Sequence, residues 1–329
     1  MTAVAGVLHE RSFPSMGTAV RLLASVPGPL PDTGAEVERL AALFTRFDAR
    51  SELCAFNADP RAVVPASADL RAAVRAALRG AELTGGLADP TLLGALERAG
   101  YTRSLTGVPR TPLRRALAAA PPRRPAQPHP AAAWRQVIVD DEDGTIARPP
   151  GLRLDLGGSA KGFVADRAAA LLGAPCAVDC GGDMRVRGAH EVRVAHPFGG
   201  EPAAVIALSD GAVATSGIDA RLWGRAGHHL LDPATGAPAW TGVVSATALA
   251  PTAAEAEALA KAALLSGPEA GGELLARHGG GVLMLDDGST DLVARSSELR
   301  DGATKPDQEP GFVERSASVR DRATEPVLA

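Results

Sequence analysis

The amino-acid sequence predicts an α+β fold in which mixed β-sheets pack with helices. Short apolar runs typical of strands recur at 176–179, 191–195, 203–208 and 242–249. Helical patterns lie between only some of these runs, so strands and helices do not alternate regularly, as they do in a parallel βαβ fold. With 329 residues the chain is long enough to bury a sizeable core.

The N-terminal elements are predicted from apolar spacing and from turn residues. Residues 11–26 are predicted to form a strand pair, or one strand entered by a turn, because a proline and a glycine precede an apolar run. Apolar side chains at helical spacing predict a helix over 32–47. A second helix is predicted over 67–84, with Ser67 as its N-cap.

The remaining segments set the expected domain limits. Residues 106–133 are rich in proline and arginine and are predicted to be a linker or surface loop. A strand is predicted over 135–141. From Ser296 onward the chain is polar and short of core residues, which indicates a disordered tail at 296–329 and one folded domain at 11–295.

Composition excludes several classes of protein. The net charge is only −4 with both signs mixed along the chain, which argues against a nucleic-acid surface. Cys54, Cys176 and Cys180 show no metal-ligand spacing and are interpreted as reduced thiols. No stretch approaches the roughly 18 apolar residues of a membrane span, and no signal peptide is recognised. We therefore expect a cytoplasmic protein.

A glycine-rich turn, "DLGGSAKGFVADRA" at 155–168, is the first candidate site. It follows an alternating run at 151–154, interpreted as a strand, and it opens a helical pattern. Glycines allow close backbone approach, a helix N-terminus offers free N–H groups, and Lys161 adds positive charge, so the turn suits a phosphate. The alternative is a tight structural turn with a solvated Lys161, because neither common phosphate-binding motif is matched.

Other turns follow predicted strands. They read "AVDCGGDMRVRG" at 177–188, "AVATSGIDARLW" at 212–223 and "HHLLDPATGAPA" at 228–239. Each of them alone is more typical of a structural turn than of a site. Their order along the chain is more informative than any one of them.

Taken together, the motifs resemble one known family. In chain order they are "MGT" at 16–18, "RFDARSELCAFN" at 46–57, "GGLADPTL" at 85–92, the glycine-rich turn, "CGGDMRV" at 180–186, "ATSG" at 214–217, "HHLLDPATG" at 228–236 and "VVSATALAPTAAEAEALAKAALLSGP" at 243–268. This series resembles the FAD:protein FMN transferases of the ApbE family over roughly 13–284.

The resemblance implies an ApbE-like fold and a transferase activity. Such an enzyme binds FAD as its substrate, uses Mg²⁺ at the pyrophosphate, and moves FMN onto a threonine or serine hydroxyl of an acceptor protein with release of AMP. Phosphoryl-type transfer depends on positioning and charge stabilisation more than on covalent catalysis by the enzyme. Glycine turns, a lysine and a metal are therefore sufficient for it.

The resemblance also implies site residues. His229 would line the flavin pocket with an acid/base or positioning role, whereas the adjacent His228 is expected at the surface. Asp155 is expected to fix the glycine-rich turn. The FAD-binding positions implied by the resemblance are Met16, Phe47, Leu87, Ala88, Asp89, Lys161 and Leu230.

The implied metal site departs from the family pattern. The Gly158 carbonyl would bind the metal, but Glu257 replaces the usual aspartate and Lys261 replaces the usual threonine. Independently of the family, Thr252 and Glu255 match a helix capping box, and Glu257 with Lys261 has the spacing of an i,i+4 ion pair. Two alternatives therefore stay open beside the transferase: a flavin-binding module with weakened transfer, and an FAD pyrophosphatase.

Overall fold

The structure is a computed structural model that describes residues 8–296. Its strands are β1 (His9–Ser15), β2 (Thr18–Ala24), β3 (Val63–Pro65), β4 (Ile138–Asp140), β5 (Thr145–Ala147), β6 (Cys176–Cys180), β7 (Asp183–Val194), β8 (Ala204–Gly217), β9 (Leu222–Trp223), β10 (Gly227–His228), β11 (Val243–Ala250), β12 (Gly281–Leu285) and β13 (Thr290–Val293). Its helices are α1 (Leu30–Phe44), α2 (Glu52–Ala58), α3 (Ala68–Leu83), α4 (Leu93–Arg98), α5 (Leu113–Ala118), α6 (Ala160–Leu172), α7 (Ala253–Ser266) and α8 (Pro268–His278).

The central element is an eight-stranded sheet with the order β1-β2-β6-β7-β8-β11-β12-β13. A three-stranded sheet, β3-β5-β4, and the pair β10-β9 lie outside it. Every strand pairing between residues 8 and 296 is antiparallel. Short connections such as those between β6, β7 and β8 suffice for antiparallel neighbours, whereas parallel strands need a crossover. The predicted α+β class is confirmed.

Helix α7 is the centre of the helical layer. It packs against β8 and β11 on one side and against α3, α6 and α8 on others, so it is apolar almost all round and buried. Small residues permit these close contacts. A Cβ atom at Gly80 would lie only 3.0 Å from the Ala258 Cβ, and one at Gly162 would overlap the Ala253 carbonyl. The N-terminus of α6 is therefore held directly against the first turns of α7.

Predictions for the N-terminal segment are confirmed with shifted limits. β1 and β2 form a hairpin, and its two-residue turn places Met16 and Gly17 at φ +50° and +74°. Helix α1 ends at Phe44 because Thr45 is extended, which leaves Arg46 and Phe47 outside the helix. Ser67 caps α3 as predicted, accepting a hydrogen bond from the Leu70 amide at 3.1 Å.

The strand predicted over 151–154 is wrong. This segment joins no sheet, and the Asn57 side chain instead donates to the Leu154 carbonyl and accepts from its amide, each at 2.8 Å. Leu154 and Leu156 are both fully buried. The alternating apolar residues therefore reflect burial of an extended loop whose backbone is satisfied by a side chain instead of a neighbouring strand.

The remaining segments differ mainly in their limits. The predicted loop over 106–133 contains the short helix α5, and the predicted strand over 135–141 is reduced to β4 after a 3₁₀ turn at Ala133–Gln136. β7 and β8 are longer than predicted, since arginines near the start of β7 interrupt its apolar pattern. Of the predicted disordered tail, 297–329 lie outside the described residues. No helix within 8–296 is long and apolar enough to span a membrane.

Candidate active site

A cavity of about 1060 Å³ collects the residues that the sequence singled out. Its walls come from the β1–β2 turn, the loop after α1, the N-terminus of α6, the end of β8 and one face of α7. Its volume lies at the upper end of the range for small-molecule sites. The sequence-predicted residues that line it are Met16, Phe47, Leu87, Ala88, Asp89, Gly158, Lys161, His229, Leu230, Glu257 and Lys261.

Aromatic rings form one wall of the cavity. Tyr101 stacks on Trp223 and contacts Phe47, with ring centroids 5.5 Å apart in both pairs. The Arg46 guanidinium lies 4.3 Å from the Phe47 centroid and 4.5 Å from that of Tyr101, and it pairs with Asp155 at 3.3 Å. This wall, Arg46 with the three rings, provides flat surfaces for stacking a planar ligand.

Sequence reasoning missed three members of this wall, namely Arg46, Tyr101 and Trp223. Aromatic residues make up only 3% of the chain, and Tyr101 is its single tyrosine. The scarcity of aromatic residues was not a sufficient signal, because only the structure shows that these few rings cluster in space. Nothing local in the sequence brings residues 101 and 223 together.

The segment around Asp89 is held by its own side chains. The Asp89 carboxylate accepts hydrogen bonds from the Thr91 amide at 2.7 Å and from the Thr91 hydroxyl at 2.6 Å. Burial raises the pKa of Asp89 above its ordinary value, although these hydrogen bonds oppose the effect. The Ala88 amide donates to the Thr84 hydroxyl at 3.0 Å. Leu87 and Ala88 are thus presented to the cavity by a rigid loop.

The glycine-rich turn differs from the predicted phosphate cradle. The Gly157 amide donates to Asp155 at 3.3 Å, which agrees with the expected turn-fixing role of that carboxylate. The Ala160 amide donates to the Leu156 carbonyl at 2.8 Å, and the Gly162 amide donates to Glu257 at 2.9 Å. These three backbone N–H groups already donate hydrogen bonds within the protein, so they are not free to bind a phosphate. The positive charge that faces the cavity comes instead from side chains, namely those of Lys161, Lys261 and the lining arginines Arg46, Arg110 and Arg221.

Two lysines and two carboxylates form a compact group at the base of the cavity, which we call the lysine–carboxylate cluster: Lys161, Asp183, Glu257 and Lys261. The Lys161 ammonium bonds to Asp183 and lies 3.3 Å from Glu257 Oε1. Asp183 and Glu257 are only 1% and 3% exposed. The alternative of a solvated Lys161 is therefore wrong.

Lys261 takes a different partner from the one predicted. Its Nζ donates to the Gly158 carbonyl at 2.7 Å, and it makes no salt bridge with Glu257 or any other described residue. Glu257 is directed towards α6 instead. A Cβ at position 158 would overlap the Lys261 ammonium, so a larger residue there would require the Lys261 side chain to move. Burial lowers the pKa of Lys261 from its ordinary value, although the charge of Glu257 opposes this.

His229 faces the cavity from the segment after β10. Its Nδ1 is buried and has no hydrogen-bond partner anywhere between residues 8 and 296. Burial first, and then the positive charge of Arg221, hold the pKa of His229 well below its ordinary value. The imidazole is therefore neutral at neutral pH, and a neutral imidazole has one ring nitrogen that can accept a hydrogen bond from a ligand or an acceptor hydroxyl.

The prediction of a surface His228 is wrong. Its side chain is fully buried and meets Trp240 edge-on, with ring centroids 4.9 Å apart. Its Nδ1 accepts a hydrogen bond from the Leu230 amide at 3.3 Å. Of the two adjacent histidines, His228 therefore belongs to the core under the cavity wall and His229 to the cavity. Burial lowers the pKa of His228 to about 4.

This burial predicts a pH-dependent stability. The unfolded His228 takes up a proton near its ordinary pKa of 6.5, whereas the folded residue does so only near 4. Its contribution to the free energy of unfolding is therefore complete above pH 6.5 and is lost as the pH falls towards 4, by about 3 kcal/mol. Urea unfolding across this pH range should show a smaller loss of unfolding free energy in His228→Gln than in the wild type. His9 is exposed, so His9→Gln is the control. Equal losses of unfolding free energy in the wild type, His228→Gln and His9→Gln would show that burial of His228 is not the cause.

Known proteins resemble this chain in sequence. The model of the ApbE family matches residues 16–285. The FAD:protein FMN transferase of Treponema pallidum (strain Nichols) is 39% identical over 142 residues, 36% of this chain and 39% of the relative. The FAD:protein FMN transferase of Escherichia coli (strain K12) is 32% identical over 151 residues, 41% of this chain and 43% of the relative. The chain thus matches about two fifths of the length of these relatives.

Solved structures share the fold over a longer span. The ApbE protein of Thermotoga maritima is 27% identical with a TM-score of 0.72, and the alignment covers 87% of this chain and 97% of that one. The flavin transferase ApbE of Vibrio cholerae is 24% identical with a TM-score of 0.64. The alignment covers 88% of this chain and 98% of that one. Because the family model covers most of the sequence and these structures share the fold, the chain belongs to the ApbE family.

Proposed function

We propose that residues 11–295 form an FAD:protein FMN transferase, which moves FMN from FAD to a threonine or serine hydroxyl of an acceptor protein and releases AMP. Family membership and the activity named for the Treponema pallidum and Escherichia coli relatives support this proposal. The observation that carries it is the combination, in one cavity, of an aromatic wall and a pair of lysines.

Two parts of the cavity wall suit two parts of FAD, the flavin and the pyrophosphate. A flavin ring system is planar, so Phe47, which is 41% exposed, and the partly exposed Trp223 are suited to stack against it, whereas the buried Tyr101 supports them. A pyrophosphate is anionic, and Lys161 and Lys261 present ammonium groups to the same cavity. We therefore place the flavin towards the rings and the pyrophosphate towards the lysine–carboxylate cluster.

The transfer step requires a base and charge stabilisation. The acceptor hydroxyl oxygen would form a bond to the FMN phosphorus, while the bond from that phosphorus to the bridging oxygen breaks and AMP leaves with the bridging oxygen. The neutral imidazole of His229 would take the hydroxyl proton. The ammonium groups of Lys161 and Lys261 would stabilise the charge that develops on the pyrophosphate oxygens.

The donor atoms at the expected metal position do not fit Mg²⁺. That ion requires oxygen ligands in near-octahedral geometry. The Gly158 carbonyl already accepts from the Lys261 ammonium, and the two Glu257 oxygens serve the Gly162 amide and Lys161. Among residues 8–296 no three His, Cys, Asp or Glu side chains are grouped as a metal site. The proposed transfer step therefore relies on the side chains of His229, Lys161 and Lys261.

Transfer is tested directly with the purified full chain and FAD. The acceptor probe is a synthetic peptide in which a threonine follows alanine with an aspartate upstream. We expect AMP in solution and a peptide heavier by one FMN phosphoryl group. A peptide with valine in place of that threonine is the control, because valine has a similar shape and no hydroxyl.

The same assay separates the two alternative functions. Release of both AMP and free FMN, without any modified peptide, would identify an FAD pyrophosphatase that uses water as the acceptor. FAD binding without AMP release, whether Mg²⁺ or EDTA is present, would identify a flavin-binding module. Either result would replace the proposed transferase.

A further inference from the structure

The charges of the lysine–carboxylate cluster are not shared equally between its two lysines. Lys161 contacts both carboxylates, bonding to Asp183 and lying 3.3 Å from Glu257. Lys261 forms no salt bridge with any residue described in the structure. One cation of the cluster is therefore neutralised inside the protein, and the other faces the cavity without a carboxylate in contact.

The Lys261 ammonium has donors left for a ligand. An ammonium carries three N–H donors, and among residues 8–296 this one makes a single hydrogen bond, to the Gly158 carbonyl at 2.7 Å. That bond, with the tight fit against Gly158, fixes where the charge lies. The charge is partly buried, and the carboxylates of Glu257 and Asp155 act on it only without direct contact, so an anionic ligand in contact with the ammonium would stabilise it further.

We propose that the Lys261 ammonium is a protein-borne cation that binds the pyrophosphate of FAD directly, so that this chain binds FAD without a divalent metal ion. The inference rests on the proposed function, since it assigns the anion to FAD. It makes Lys261 a residue that contacts the substrate, at the position where its family resemblance implies a metal ligand.

Charge and geometry both favour the ammonium over a metal at this place. A divalent ion would have to displace Lys261 from the Gly158 carbonyl and Lys161 from Glu257. It would then lie beside two displaced ammonium groups in a partly buried site, where repulsion between like charges is weakly screened. The existing arrangement supplies one positive charge at the same carbonyl, and that single charge is repelled by Lys161 and Arg221 less strongly than a divalent ion would be.

The test measures FAD affinity by titration calorimetry, with EDTA in one series and Mg²⁺ in the other. The wild-type protein is expected to give dissociation constants that agree within about twofold. Lys261→Met, which keeps the length of the side chain and removes its charge, is expected to weaken binding about 10- to 100-fold in EDTA. Arg277→Met removes an exposed cation from α8 and is expected to bind like the wild type.

A third variant tests the metal position itself. Lys261→Thr releases the Gly158 carbonyl and adds a hydroxyl oxygen, so its FAD affinity is expected to become at least about tenfold higher in Mg²⁺ than in EDTA. The wild-type comparison of EDTA with Mg²⁺ requires no substitution, so the inference remains testable should a Lys261 variant fail to fold.

The outcomes distinguish the inference from the proposed function. Wild-type FAD binding that is lost in EDTA and restored by Mg²⁺ would overturn the metal-free inference and leave the transferase standing. Wild-type affinity in Lys261→Met would likewise overturn only the role of Lys261. No FAD binding under either condition would overturn both the inference and the proposed function.

Discussion

Replacing His229 with glutamine is expected to reduce FMN transfer by about 10² to 10⁴-fold, the range typical of a lost general base. His229 lines the cavity, its Nδ1 is buried without a hydrogen-bond partner in the described part of the chain, and burial keeps the imidazole neutral. Glutamine retains hydrogen-bonding capacity but cannot accept a proton near neutral pH. The rate of AMP release with saturating FAD and acceptor peptide measures the effect.

A loss of catalysis has to be separated from a loss of binding. FAD affinity of His229→Gln, measured by calorimetry, is expected to change little, because the pyrophosphate is assigned to the lysines. His278→Gln is the matched control, since His278 lies at the C-terminal end of α8 and does not line the cavity. Equal transfer rates in His229→Gln and the wild type would remove His229 from the mechanism.

Replacing Glu257 with alanine is expected to lower the free energy of unfolding by about 3 kcal/mol or more, the cost of breaking a buried ion pair. Glu257 is 3% exposed, accepts from the Gly162 amide at 2.9 Å and lies 3.3 Å from the Lys161 ammonium. Without it, the Gly162 N–H and Lys161 both lose an anionic partner. Urea unfolding followed by circular dichroism gives the free energy of both proteins.

The control for this effect is on the same helix. Glu255 lies in the first turn of α7, donates its amide to the Thr252 hydroxyl at 3.3 Å and takes no part in the lysine–carboxylate cluster. Glu255→Ala is expected to cost at most about 1 kcal/mol, through a weakened interaction with the helix dipole. A Glu257→Ala protein as stable as Glu255→Ala would show that the cluster contributes little to folding.

The sequence by itself determined the local features and part of the cavity lining. Ser67 and Thr252 cap helices as their spacing predicts, and the "MGT" stretch forms the hairpin turn. Capping and turn formation depend on residues within a few positions of one another, so a sequence pattern is sufficient to predict them. The ordered motifs also identified residues that line one cavity, because they identified the family.

Only the tertiary structure decided which atoms those residues contact. Glu257 serves the Gly162 amide 95 positions away instead of Lys261 on the next turn, and Asn57 satisfies Leu154 across 97 positions. These contacts form because α6 packs against α7 and because the extended segment at Leu154 is buried beside α2. Burial then makes each unsatisfied polar group costly, so side chains take whichever partner packing brings within reach. A local sequence pattern contains no information about these distant partners. For the same reason it did not predict that the Lys261 ammonium donates to the Gly158 carbonyl.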